Sequence, residues 1–229
     1  GTDMKFSFST KGWHNSSFED FCAIATDLKF DGIELHNIQN PLFTDRDGAF
    51  HEHNAPATLR RLFERGLKIP CIDVIGDIAD ETAAEETVGE IGACAEIAQN
   101  LHIPFVRLRA GASDDEQKAI AAVETILARV LPTAEEKKIT FVVETSGLFC
   151  RTARLRDLLD RFASDNLGAL WEMSAAFFES DETPEQIIQN LGAYVRHVHI
   201  SDAEIENGEV RHLLIGEGRL PISDMMLAL

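Results

Sequence analysis

Short apolar runs alternate along the chain with longer stretches whose apolar residues recur every three or four positions; the first pattern reads as strands, the second as amphipathic helices. The first run covers residues 5–10. Ser17-x-x-Asp20 follows as a capping box, and Phe18, Phe21, Cys22, Ala25 and Leu28 then share one helical face. Further strands are predicted at 33–36, 69–74, 104–108, 139–144, 169–172 and 195–200. Between them, Pro56 opens and Gly66 closes a helix. Residues 81–101 form a long helix aligning Val88, Ile91, Ala95, Ala98 and Leu101. Ser113-Asp114-Asp115-Glu116 starts another, with Ile120, Val123, Leu127, Val130 and Leu131 as its buried stripe. Pro132 is expected to kink or restart that helix. Residues 153–162 read as a helix, and Thr183-Pro184 opens the next. Residues 37–54 read as a loop, long enough to carry function. Asn207-Gly208 signals a hairpin turn, and Ile222, Met225, Met226 and Leu229 give a last amphipathic stripe.

Strands alternating with helices over 229 residues leave an open doubly wound sheet or a closed (β/α)8 barrel. A doubly wound nucleotide binder carries a glycine-rich loop after its first strand. Here Ser9-Thr10-Lys11-Gly12-Trp13-His14 offers one glycine. The preferred fold is therefore α/β of the (β/α)8 TIM-barrel type, as one domain over 1–229, close to the usual size of about 250 residues. Seven strands are predicted, so strand eight is missing from the chain as given. The expectation is a barrel that continues in a longer protein or has degenerated. Its open sheet edge and terminal apolar stripe would favour self-association as a homo-oligomer.

Composition narrows the function. Apolar residues make up 45% and charged residues 26%, as in ordinary globular proteins. No apolar run approaches the length of a membrane span, and the segment after Met4 lacks a signal peptide's apolar core. Lys and Arg number 21 against 39 Asp and Glu, a net charge of −18. That field repels phosphate backbones and anionic membranes, so neither nucleic acid nor membrane is an expected partner. The four cysteines, Cys22, Cys71, Cys94 and Cys150, form no CxxC. They suit a reducing, cytoplasmic location and a role as small buried apolar residues.

In a barrel, chemistry sits at the C-terminal strand ends. Those ends offer Ser9, Thr10, Lys11, Trp13 and His14; Glu34 and His36; Asp73; Arg107 and Arg109; Glu144; Glu172; and His197, His199 and Asp202. Glu144, Glu172 and His199 end three successive strands and are expected to converge on one point. Two carboxylates and an imidazole suit Mn²⁺, Mg²⁺, Co²⁺ or Zn²⁺. A divalent metal there would polarise the carbonyl and a neighbouring hydroxyl of a bound sugar while a carboxylate moves the α-proton. Other readings stand beside this one. Glu144 can cap its strand or pair with Arg107, and one of His197 and His199 can be a core histidine. Arg107 and Arg109 can bind an anion or neutralise the carboxylates. His51-Glu52-His53 reads as a solvated loop, and Gly216-Glu217-Gly218 as a turn, since no strand precedes it.

Phe30-Asp31-Gly32-Ile33-Glu34-Leu35-His36, Ile103-Pro104-Phe105-Val106-Arg107-Leu108, Val142-Val143-Glu144, Leu170-Trp171-Glu172, Val195-Arg196-His197-Val198-His199-Ile200-Ser201-Asp202 and Ile215-Gly216-Glu217-Gly218 stand in an order that resembles the xylose-isomerase-like TIM barrels, the sugar phosphate isomerases and epimerases. The resemblance covers essentially the whole chain. It implies a divalent metal held by Glu, Asp, His and Glu from strands five to eight. By position these match Glu144, Glu172 and His199, with the fourth absent. Glu172 stands where Asp is usual, and Ala175 where a second His often follows.

The resemblance implies a metal-dependent isomerase or epimerase of a small keto sugar or sugar derivative. Glu144 would be ligand and proton-transfer base, and Glu172 and His199 ligands. Glu34 and His36 would meet substrate hydroxyls, Trp13 would wall the pocket, and Arg109 would hold an anionic end. Three alternatives remain. A lyase such as a 3-dehydroshikimate-type dehydratase needs the same α-proton step. An endonuclease-like phosphodiesterase needs more metal ligands and a less acidic chain. A non-catalytic degenerate barrel would account for Ala175 and the missing strand.

Overall fold

The structure is a computed structural model that describes residues 7–9, 32–172, 180–199, 202–206 and 209–213, with side chains for 35–172 and 180–197. Strands β1 (Ser7–Ser9), β2 (Gly32–His36), β3 (Cys71–Asp77), β4 (Phe105–Arg109), β5 (Thr140–Glu144), β6 (Leu167–Glu172) and β7 (Val195–His199) form one sheet in sequential order. Every neighbouring pair is parallel. A doubly wound sheet would place β1 in the middle. Here β1 and β7 are the two edges among the described residues, which is the order of a barrel wall. The antiparallel pair β8 (Asp202–Glu206) and β9 (Glu209–Leu213) sets Glu206 opposite Glu209, on either side of the predicted Asn207-Gly208 turn.

The helices begin where the sequence supplies caps. In α1 (Pro41–Thr44), Asn40 accepts from the Leu42 amide and Pro41 takes the first helical position. This short helix interrupts what the sequence presents as a plain loop; one turn is too short to show the apolar period of a longer helix. The helix α2 (Ala55–Glu64) ends ahead of Gly66, whose φ of 70° suits the residue without a Cβ. A tight turn, Glu81–Ala83, leads into α3 (Ala84–Leu101). In α4 (Glu116–Lys137), Asp115 caps the Lys118 amide. This helix runs on through Pro132 rather than restarting there. Proline removes one N–H, the partner of the Ala128 carbonyl, and Ala128 lies on the exposed side, where water can satisfy that oxygen. After α5 (Thr152–Phe162), α6 (Pro184–Leu191) carries a full capping box between Thr183 and Gln186. The predicted helix at 17–28 and the stripe at 222–229 lie outside the described residues.

Strand residues divide between two layers by parity. Ile72, Val74, Val106, Leu108, Phe141, Val143, Ala169 and Trp171 pack outward with the helices, against Ile91, Cys94 and Ala95 of α3 and Val123 and Leu127 of α4. Cys71, Val142 and Leu170 pack inward with Phe105. The Phe105 ring also stacks on His197, 5.8 Å away between centroids. Since β4 and β7 are not neighbours, that contact crosses the inside of the sheet and closes an apolar floor. Cys71 and Cys94 are buried, and burial, aided by nearby Glu90 and Asp73, pushes the Cys94 thiol far above the usual range. Among the described residues, no helix is long and apolar enough to cross a membrane.

Candidate active site at the barrel mouth

One step beyond the apolar floor, the inward positions turn charged. Cys71 is followed two residues later by Asp73, Phe105 by Arg107, Val142 by Glu144 and Leu170 by Glu172. Register then sets the neighbours. His36 pairs with Asp73, and Asp73 with Arg107, across three strands. Partners on adjacent parallel strands sit roughly 4.8 Å apart, so this row forms a chain of contacts. His36 Nδ1 donates to Asp73 Oδ2 at 3.0 Å. Asp73 Oδ1 lies 3.5 Å from Arg107 Nε, and Arg107 Nη1 lies 3.5 Å from Glu144 Oε1. Arg107 Nη2 donates to the Val74 carbonyl at 3.1 Å.

Glu144 Oε2 accepts from the Ser146 hydroxyl at 2.6 Å. Thr145 stitches β5 to β6: its amide donates to the Leu170 carbonyl at 3.0 Å, and its hydroxyl accepts from the Glu172 amide at 3.0 Å. Arg109 lies half-buried and donates from Nε and Nη2 to the Ile75 carbonyl, at 3.1 and 2.8 Å. Asp73, Arg107 and Glu172 are 6, 5 and 5% exposed. Asp73 and Glu144 flank one buried guanidinium and Glu172 ends the neighbouring strand, and buried charge demands compensation.

The sequence profile of the xylose isomerase-like TIM barrel matches residues 22–229. The chain belongs to that family. A search of curated proteins found no match. Among solved structures, this xylose isomerase-like barrel is similar to the IOLI protein with a bound zinc atom, at 16% identity and a TM-score of 0.78, over 98% of this chain and 84% of that one. It is similar to a D-tagatose 3-epimerase-like protein at 20% identity and 0.76, over 99% and 86% of the two chains. It is also similar to the probable 3-DHS dehydratase AsbF of Bacillus anthracis, at 19% identity and 0.72, over 98% and 88%. At such identities the likeness establishes the fold.

Within this xylose isomerase-like barrel, the described side chains bring His36, Asp73, Arg107 and Glu144 into one chain of contacts. Glu172 stands at the end of the adjacent strand β6, and His199 is its register partner on β7. The side chains of Glu34 and His199, and all of Trp13 and Ala175, lie outside the described residues. Among the described residues, no three His, Cys, Asp or Glu side chains cluster closely enough to hold an ion. The donor chemistry nevertheless fits a divalent cation: hard carboxylate oxygens at the ends of adjacent strands. Sequence reading lists Asp73 without giving it a role and passes over Ser146 and Glu90. Ser146 had a local signal, a hydroxyl two residues past a strand-end carboxylate.

Proposed function

We propose that this chain is a divalent-metal-dependent isomerase or epimerase of a small keto sugar or sugar derivative, acting by proton transfer at the carbon next to a carbonyl. The observation that carries this reading is the buried mouth itself, where Glu144 and Glu172 end adjacent strands. Glu144, Glu172 and His199 would hold the ion, which when bound supplies Lewis-acid polarisation of the substrate's carbonyl and neighbouring hydroxyl.

The rest falls to the chain's own side chains. Glu144 takes the α-proton: the C–H bond breaks, its electron pair moves into the carbonyl, and the carboxylate becomes a carboxylic acid. Ser146 fixes one Glu144 oxygen, and Arg107 approaches the other, so the base is held in one orientation. Return of the proton to the former carbonyl carbon, with the hydroxyl proton passing from the neighbouring oxygen to the former carbonyl oxygen, interconverts ketose and aldose. Return to the same carbon from the opposite face inverts it and requires a second proton donor. His36, oriented by Asp73, and Glu34 contact substrate hydroxyls; Trp13 walls the pocket, and Arg109 binds the far end of the substrate.

The test is proton NMR of candidate ketoses and keto acids in D₂O with Mn²⁺-loaded protein, followed by product analysis. The expected result is protein-dependent deuterium incorporation at the carbon next to the carbonyl. It should fall by at least about a hundredfold in Glu144→Gln, the scale of a lost general base. Loss of water from the substrate would instead assign a lyase. No exchange with any substrate would overturn the proton-transfer reading.

A further inference from the structure

We infer that the substrate carries an anionic group, a carboxylate or a phosphate, and that Arg109 binds it. This rests on the reading above for where the substrate lies. Arg109 differs from the other strand-end charges. Asp73, Arg107 and Glu144 answer one another, whereas among the described residues Arg109 donates only to the neutral Ile75 carbonyl. Its register partner Asp77 is engaged elsewhere, accepting from the amides of Ala79 and Gly111 at 2.8 and 2.9 Å. Carboxylates are not scarce: Arg129, Arg154 and Arg161 each find a glutamate. A half-buried arginine with no carboxylate partner, in a chain carrying 39 acidic residues, is a selective arrangement.

The anchoring leaves a usable fork. A guanidinium has five N–H groups in a plane. The bonds from Nε and Nη2 to Ile75 occupy one edge and leave the Nη1–Nη2 edge, which matches a carboxylate or phosphate bidentately. The anchor is itself held. The β3–β4 register shifts between Asp73 and Asp77, and Glu90 of α3 accepts from the amides of Ile75 and Gly76 at 2.8 Å each. A Cβ on Gly76 would come within 2.6 Å of the Thr87 hydroxyl, so the helix sits directly against this segment. Arg109 lies two residues beyond Arg107 on the same strand, toward the open end of the mouth. Because the chain as a whole repels anions, an acidic substrate needs a local cation of this kind.

Saturation-transfer NMR titrations of the full chain with D-fructose, 2-keto-D-gluconate and D-fructose 6-phosphate test the inference, since binding is read without turnover. The expected result is that one of the two anions binds about tenfold or more tightly than neutral D-fructose, as charge-assisted bidentate bonds predict. The tighter of the two identifies carboxylate or phosphate. Arg109→Met should abolish the preference, and Arg109→Lys, a point charge without the fork, should restore part of it. Equal affinities for all three ligands, no binding of either anion, or a preference that survives in Arg109→Met would overturn the inference. If Arg109→Met does not fold, the wild-type ranking and Arg109→Lys decide. The two readings fail separately: absence of deuterium exchange in every ketose defeats proton transfer and leaves the anion preference measurable.

Discussion

Arg107 reaches Asp73 on one side and Glu144 on the other, with its own charge almost out of water. Removing one partner from such a group leaves the others uncompensated, a loss of about 3–5 kcal/mol. Arg107→Met is therefore expected to lower the urea midpoint strongly, with Arg107→Lys between it and wild type. Saturating Mn²⁺ should raise the midpoint of Arg107→Met more than that of wild type, because a cation at Glu144 replaces part of what was lost. A variant as stable as wild type would show that the ion pairs contribute nothing to folding. At this scale the sequence is partly legible. Period two along each strand puts Asp73, Arg107, Glu144 and Glu172 at inward strand ends, so their types and places can be read directly. The pairing of His36 with Asp73, and of Asp73 with Arg107, cannot. It depends on register between strands separated by whole helices, and no local pattern carries that.

The strand β3 is where an element boundary does chemical service. Its register shift turns the Val74 and Ile75 carbonyls toward Arg107 and Arg109, while Glu90 takes the amides on the helix side. In Glu90→Gln one amide of the pair must face an NH₂ group, leaving a half-buried donor unsatisfied at a cost of about 1–3 kcal/mol. Hydrogen exchange at Ile75 and Gly76 should then quicken by about tenfold or more, with the amides of α4 unchanged. Equal protection in both proteins would mean that the segment holds its shape without Glu90. Capping signals located α4 and α6: Asp115 and Thr183-Pro184 lie where the sequence points. The misses have physical causes. Pro41–Thr44 is too short to show a period. Glu90 lies on a helix whose apolar stripe is legible, but its target is a strand irregularity that no stripe encodes.

At the scale of the whole sheet, seven parallel strands in sequential order among the described residues and an apolar floor beneath a charged mouth place the chemistry at one end. Their alternation with helices is legible because each strand is a short apolar run and each crossover an amphipathic one. The net charge of −18 attracts cations everywhere, so a specific ion site must be separated from diffuse accumulation. At about 0.15 M salt, screening confines surface attraction to roughly 8 Å, and only a coordinated ion retains high affinity. Calorimetric titration of Mn²⁺ into chelator-treated protein under those conditions is the most direct test of the proposed centre. The account predicts one ion per chain, lost in both Glu144→Ala and Glu172→Ala while the folded circular dichroism spectrum remains. No saturable binding by the wild-type chain, or binding that survives both substitutions, would contradict it.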